Sequence, residues 1–227
     1  MKRLSLFLLV ALLLTAGCGE SPAPTPTAAE VAGESALRMQ EVSSFHFVIT
    51  VTGKAAFLDT NQTMALKRAE GDLAKPDRAR AIAKVSTMGM ASEIGIITIG
   101  ETQYATNPLT QAWQEVPAEA RWDLDLAQLF DDEQGIPAVL LGTSWSYDAQ
   151  DAKTAVLQAQ MPYAQLRALG FGLITSGEVD VEFHIGPEDN YVYRIQIVET
   201  ASDPEEPTTW VIELSAFDQA VDIQPPE

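Results

Sequence analysis

Residues 178–185 read EVDVEFHI, and no other stretch of the chain leaves so few folds open. Val179, Val181, Phe183 and Ile185 alternate with Glu178, Asp180, Glu182 and His184, the two-residue period of a strand with one dry face and one wet face. Tyr191, Tyr193, Ile195 and Ile197 continue the alternation, as do Trp210, Ile212 and Leu214, and GPEDN at 186–190 reads as the hairpin turn between the first two strands. A strand that is wet on one face does not belong in a parallel sheet covered on both sides. The economical solution is an antiparallel sheet with helices laid on one face only.

The first half of the chain obeys the same rule. In SFHFVITVTG, Phe45, Phe47, Ile49 and Val51 alternate with His46, Thr50 and Thr52; TMALKRAEG, RARAIAKVS and SEIGIITIG follow, separated by turn-rich links such as AKPD, and read as an antiparallel meander. QYAT and AWQEV add two weaker strands. Between Asp123 and Leu141 the period changes, and DLDLAQLF and GIPAVLLG predict two short helices, the second opening at Pro137. Gly135 and Pro137 flank that segment as a plain loop or as a hinge. SWSYDAQ, TAVLQAQ and a short helix at YAQLRALG lead into the three final strands. The fold class is α+β, a single antiparallel sheet of about ten strands, which has to curl at that width, over short helices.

The N-terminus carries a different message. Lys2 and Arg3 precede an apolar run, Leu4 to Leu14, of signal-peptide length, too short for the roughly 20 residues that span a bilayer. Thr15, Ala16, Gly17 and Cys18 resemble the bacterial lipobox, in which small residues precede a cysteine that is acylated on sulfur. Thr15 stands where a leucine is usual. Residues 1–17 are therefore read as a signal peptide and Cys18 as the lipid anchor, which exports the protein and holds it to the outer face of the cytoplasmic membrane. Residues 18–26 form a tether in which Pro22, Pro24 and Pro26 keep the chain extended, with a reach of roughly 25–30 Å. TAAE then sets Thr27 as N-cap and Glu30 as its capping-box partner, and Ala32, Ala36, Met39 and Val42 follow at helical spacing. A single domain is expected over 27–223, with 224–227 as a frayed tail.

Composition narrows the functional classes. A formal charge of −18 with 46% apolar residues describes a folded acidic protein that neither binds nucleic acid nor docks on anionic headgroups by charge. The lone cysteine excludes an internal disulfide. His46 and His184 face outward without a partner at ligand spacing, so no metal is expected. GTSWS and ITSGE lack the second glycine of a nucleophile elbow, and the acidic stretches DDEQ and PEDN lack calcium-loop spacing. No catalytic residue and no cofactor are expected, and the chain does not read as an enzyme.

One strand bears on what the sheet encloses. Ala79, Ala81, Ala83 and Val85 present small side chains on one face, which either let a helix approach closely or leave a cavity. The opening helix with SFHFVITVTG, GDLAKPDRARAIAKV, QYATNPLTQAWQEVP, the central helix pair and DNYVYRIQIVE together resemble the LppX/LprAFG lipoproteins of the bacterial cell envelope, themselves similar in fold to the LolA and LolB carriers. That resemblance implies a LolA-like half-barrel enclosing an apolar cavity for the acyl chains of a lipid, lipoglycan or lipoprotein, carried or presented within the envelope with an envelope transporter as partner. It shifts the small-residue strand toward a lumen walled by Ala81, Ala83 and Val85. The remaining walls are Phe45, Phe47, Ile49, Val51, Met64 and Leu66 from the strands, and Leu126, Leu129, Phe130, Val139 and Leu140 from the helices. An alternative on the same scaffold is an RseB-like envelope sensor or protein-interaction module without lipid transport.

Overall fold

The computed structural model describes residues 25–59, 61–87, 89–117, 126–150, 154–166, 169, 173–174 and 177–226. The signal-peptide and lipobox readings, Cys18 included, lie outside them. The described chain opens with α1 (Ala28–Glu41), and its start is fixed as the sequence dictates. Thr27 Oγ1 accepts the Glu30 backbone N–H at 3.2 Å while the Glu30 carboxylate accepts the Thr27 backbone N–H at 2.7 Å, so two otherwise unmatched donors are satisfied reciprocally. Val31, Ala32, Ala36 and Met39 form the buried stripe.

Seven strands follow: β1 (Ser44–Thr52), β2 (Ala56–Phe57), β3 (Met64–Ala74), β4 (Arg78–Thr87), β5 (Met90–Ile99), β6 (Thr102–Thr106) and β7 (Trp113–Glu115). A 3-10 turn (Leu126–Phe130) and α2 (Ile136–Gly142) sit where two short helices were expected, with Pro137 in the first turn. Then come β8 (Ser146–Gln150), β9 (Ala155–Pro162), a 3-10 turn (Tyr163–Leu166), β10 (Glu178–Ile185), β11 (Val192–Glu199) and β12 (Thr208–Ser215). The twelve strands make one sheet in the order β7-β6-β5-β4-β3-β1-β12-β11-β10-β9-β8, with β2 paired to β3. Every neighbouring pair is antiparallel. The short β2 is too brief to carry a period, which is why periodicity alone did not disclose it.

The topology is two meanders sewn together by the first and last strands. β1 lies at the centre, with Ile49 opposite Ala69 of β3 on one side and Ile212 of β12 on the other. One face of this sheet is dry. Phe45, Phe47, Ile49, Ala81, Ala83, Phe183, Ile195 and Trp210 are all buried there in one continuous core with α1, α2 and the first 3-10 turn. The other face is wet and laced with ion pairs, such as Asp72 with His46 and Arg80, both at 2.9 Å.

In one place the alternation breaks. The β10–β11 register shifts between His184, opposite Arg194, and Ile185, opposite Val192. Tyr193 is the extra residue of this bulge and is 42% exposed, whereas Val192 takes the inward position. The expected inward place of Tyr193 is thus corrected: Val192, Ile195 and Ile197 are the buried positions, Tyr191 packs half-buried against the core, and the Tyr193 hydroxyl donates to Asp189 in the adjoining turn. That turn is the expected hairpin, closed by Gly186 N–H on Tyr191 C=O, with Asn190 in the left-handed region at φ 58°.

Candidate functional site

The dry face of the curled sheet is where the sequence placed a ligand, and its residues converge there. Phe45, Phe47, Ile49 and Val51 of β1, Leu66 of β3 and Ala81, Ala83 and Val85 of β4 belong to one buried cluster with Leu129, Phe130, Val139 and Leu140 from the helical cover; Met64 packs against it half-buried. The side chain of Leu126 lies outside the described residues. The cover is held by specific contacts. Phe130 meets Phe45 at a ring separation of 4.6 Å, and Lys75 lies 5.1 Å over the Phe130 ring while donating to the Gln40 carbonyl at the end of α1. Gly135, before α2, has the carbonyl oxygens of Gln128, Leu129 and Asp131 within 2.7 Å of where a Cβ would stand. That crowding marks a packed junction.

Among the described residues an apolar pocket of about 220 Å³ opens on this face, lined by Met64, Ile94, Ala105, Thr106, Pro108, Gln114, Val116 and Pro117. Its place follows from the register. Ala83 pairs with Ile94, and Ile96 with Ala105, so the pocket begins one strand away from the small-residue strand and continues to the β6–β7 edge. Met64 is the only one of the sequence-nominated residues in its lining. Ile94, Ala105 and Val116 carry no signal in the sequence, because an isoleucine, an alanine and a valine on inward strand positions look like any core residues. The volume falls short of the roughly 300–1,000 Å³ of typical small-molecule sites. It suits a segment of an apolar chain, with no charged group in the wall.

Ionisable groups gather on the wet face. Burial works to raise the Asp72 carboxyl, but hydrogen bonds and charge from His46 and Arg80 outweigh it and hold the pKa below the ordinary range. His184 Nε2 lies 3.6 Å from Glu182. Among the described residues no cluster of three or more histidine, cysteine or acidic side chains is placed to hold a metal ion, and no helix is long and apolar enough to cross a membrane. Near the start of the described residues, Tyr147 of β8 donates its hydroxyl to the Pro26 carbonyl at 2.8 Å.

Among known proteins, the LppX_LprAFG lipoprotein family model matches residues 27–223. The fold is similar to the crystal structure of LprF from Mycobacterium bovis, with a TM-score of 0.65 and 18% identity over 89% of this chain and 98% of that one. It is also similar to that of the lipoprotein LppX from Mycobacterium tuberculosis, with a TM-score of 0.58 and 13% identity over 87% and 98% of the two chains. No curated protein matches the sequence.

Proposed function

The chain belongs to the LppX_LprAFG lipoprotein family, and from that premise we propose that it is an exported lipoprotein, anchored by acylated Cys18, that holds lipid acyl chains against its dry face and carries or presents them within the cell envelope. The observation that carries this reading is the apolar pocket at Met64, Ile94, Ala105 and Val116, open on an inner face otherwise closed by α1 and α2.

The energetics favour such cargo. Each methylene moved out of water contributes about 0.8 kcal/mol, so ten methylenes along the inner wall gain roughly 8 kcal/mol before ordering costs. A wall of aliphatic side chains collects that energy without polar recognition, which suits chains of varied length. The charged groups of the lipid stay at the mouth. Ala81, Ala83 and Val85, with β1 and the helical cover, form the rest of the proposed wall, beside the pocket.

The test is direct. The chain is exported from a signal peptide cleaved without acylation, purified without detergent, extracted with organic solvent and examined by mass spectrometry. Near-stoichiometric lipid is expected, falling at least severalfold in Ala105→Trp, whose indole fills the pocket, with the circular dichroism spectrum retained. Protein free of lipid under these conditions, taking up none from vesicles, overturns the proposal and leaves a protein-interaction role on the same scaffold.

A further inference from the structure

The apolar pocket reaches one end of the sheet. Met64, at the start of β3, and Pro108, in the β6–β7 turn, are part of its wall. The register sets three turns side by side there: Met64 pairs with Thr87 at the end of β4, Thr87 with Met90 at the start of β5, and Thr106 with Trp113 across the β6–β7 hairpin. Gln111 Nε2 ties that hairpin to β5 by donating to the Glu93 carbonyl at 3.3 Å. Large apolar side chains project into solvent from two of these turns. Leu109 is 92% exposed and Met90 68%, the two most exposed large apolar side chains among the described residues.

Their surroundings are uncharged. In a chain of formal charge −18, residues 61–66 (NQTMAL), 89–92 (GMAS) and 107–112 (NPLTQA) contain no Asp, Glu, Lys or Arg. Asp59, just before the first of them, is turned onto its own loop, where it accepts the Thr63 and Met64 backbone N–H groups at 3.0 and 2.7 Å. Further along the same end of the sheet, the β11–β12 link carries Asp203, Glu205 and Glu206. The uncharged surface is therefore one corner, the corner that the pocket reaches.

The β6–β7 turn also satisfies its own backbone donors. Asn107 N–H donates to the Ala112 carbonyl at 2.9 Å, and Gln111 N–H to the Asn107 carbonyl at 2.8 Å. Asn107 Oδ1 accepts the N–H groups of Leu109 and Thr110 at 2.9 and 3.1 Å, and Thr110 Oγ1 accepts that of Ala112 at 3.4 Å. Pro108 has no N–H, so no backbone donor from 107 to 112 is left unpaired if the turn leaves water, a condition that hydrocarbon imposes and solvent does not. At the foot of the hairpin, Trp113 lies against Gly95 with its ring partly exposed, and tryptophan is the residue type that settles at headgroup level.

We propose that this corner docks on the bilayer, with Leu109 and Met90 entering the edge of the hydrocarbon, so that the pocket opens toward the membrane that supplies or accepts acyl chains. Its purpose rests on the lipid-carrying reading; the docking itself stands on the turns. A protein partner would be recognised by a contiguous shaped patch with donors on offer. Here the backbone donors are spent and the apolar groups stand singly on separate turns, which suits a fluid apolar phase. Two side chains hold less than one acyl chain, which itself binds only marginally, so the anchor keeps the protein at the membrane and the tip orients it.

The full acylated chain is reconstituted into phosphatidylcholine vesicles containing nitroxide-labelled lipid. With Cys18 acylated the chain has no free thiol, so Thr110→Cys, which keeps Leu109, takes a single fluorescent label at the tip, and Glu188→Cys takes it at the opposite end of the sheet. Quenching at 110 is expected to exceed that at 188 severalfold, to be unchanged by added salt, and to fall to the level at 188 when Leu109→Ser and Met90→Ser are combined. Quenching at 110 no greater than at 188 overturns the proposal and leaves a protein partner or plain solvent at this corner; quenching that the double serine variant leaves intact overturns it equally. Lipid co-purified with that variant, read by mass spectrometry, is expected to match the parent. A lipid-free protein whose tip is quenched sinks the carrier reading alone, and a lipid-laden protein whose tip is not quenched sinks the docking alone.

Discussion

Trp210 is fully buried, and its indole N–H donates to Glu199 Oε1 at 2.6 Å. That acceptor is itself withdrawn from water. Burial raises the Glu199 pKa, more than the Trp210 bond and the Lys54 charge lower it. A carboxyl whose folded pKa is raised binds its proton more tightly in the native state, so its contribution to stability is present below the unfolded pKa and is lost as pH rises through the folded one. Glu199→Gln keeps a carbonyl for Trp210 and removes the buried charge. The variant is expected to raise the urea midpoint at about pH 7, with the difference closing near pH 4; an equal shift at both pH values would assign the effect to packing. Phe45 supplies the complementary case. It is fully buried, 4.6 Å from Phe130 and 6.3 Å from Phe217 by ring centroids, so Phe45→Ala opens a cavity where strand, helical cover and C-terminal segment meet. A loss of about 3–5 kcal/mol is expected from chemical denaturation.

At the scale of elements, what could be read in the sequence was whatever a local period or a local cap declares. The capping box at Thr27 and Glu30 is a pattern of neighbours, and the structure forms it; Thr27→Ala is expected to cost about 1 kcal/mol, read as a lowered midpoint in thermal melts followed at 222 nm. The strand alternation at Val179, Val181, Phe183 and Ile185 was legible because the opposite positions are charged. Other features were not. The bulge at Tyr193 inserts one residue between two correct half-patterns, and the pairing of β1 with β12 joins segments far apart in sequence that carry no mark of each other. The pocket lining at Ile94, Ala105 and Val116 differs from core only in what is missing beside it. Gly71 is a further case. It pairs with Ala81 and with Phe47, and a Cβ there would stand 1.9 Å from the Arg80 carbonyl oxygen and 2.7 Å from Ala81 Cα. Since the obstacle is backbone, Gly71→Ala forces β3 and β4 apart, and a loss of at least about 1–3 kcal/mol is expected in denaturant titration.

For the whole molecule, the sheet and the N-terminal anchor proposed for it define one arrangement. A formal charge of −18 gives the folded body no attraction for an anionic bilayer, and among the described residues no helix is suited to span one. Membrane residence on this reading rests on the acyl chains at Cys18. One chain gives only marginal, reversible binding, and a second makes it stable. Tyr147 ties the Pro26 carbonyl to β8, so on this reading the number of residues between Cys18 and Pro26 sets the greatest distance the body can stand from the membrane. Exchanging residues 1–18 for a signal peptide that is cleaved without acylation should therefore move the protein wholly into the soluble fraction, with an unchanged melting temperature and unchanged lipid content. Doubling the tether should leave it membrane-bound and equally loaded. Fractionation followed by immunoblotting separates the possibilities: a non-acylated body that still sediments with membranes would mean that the domain itself docks on lipid, and the anchor would then set its orientation, not its location.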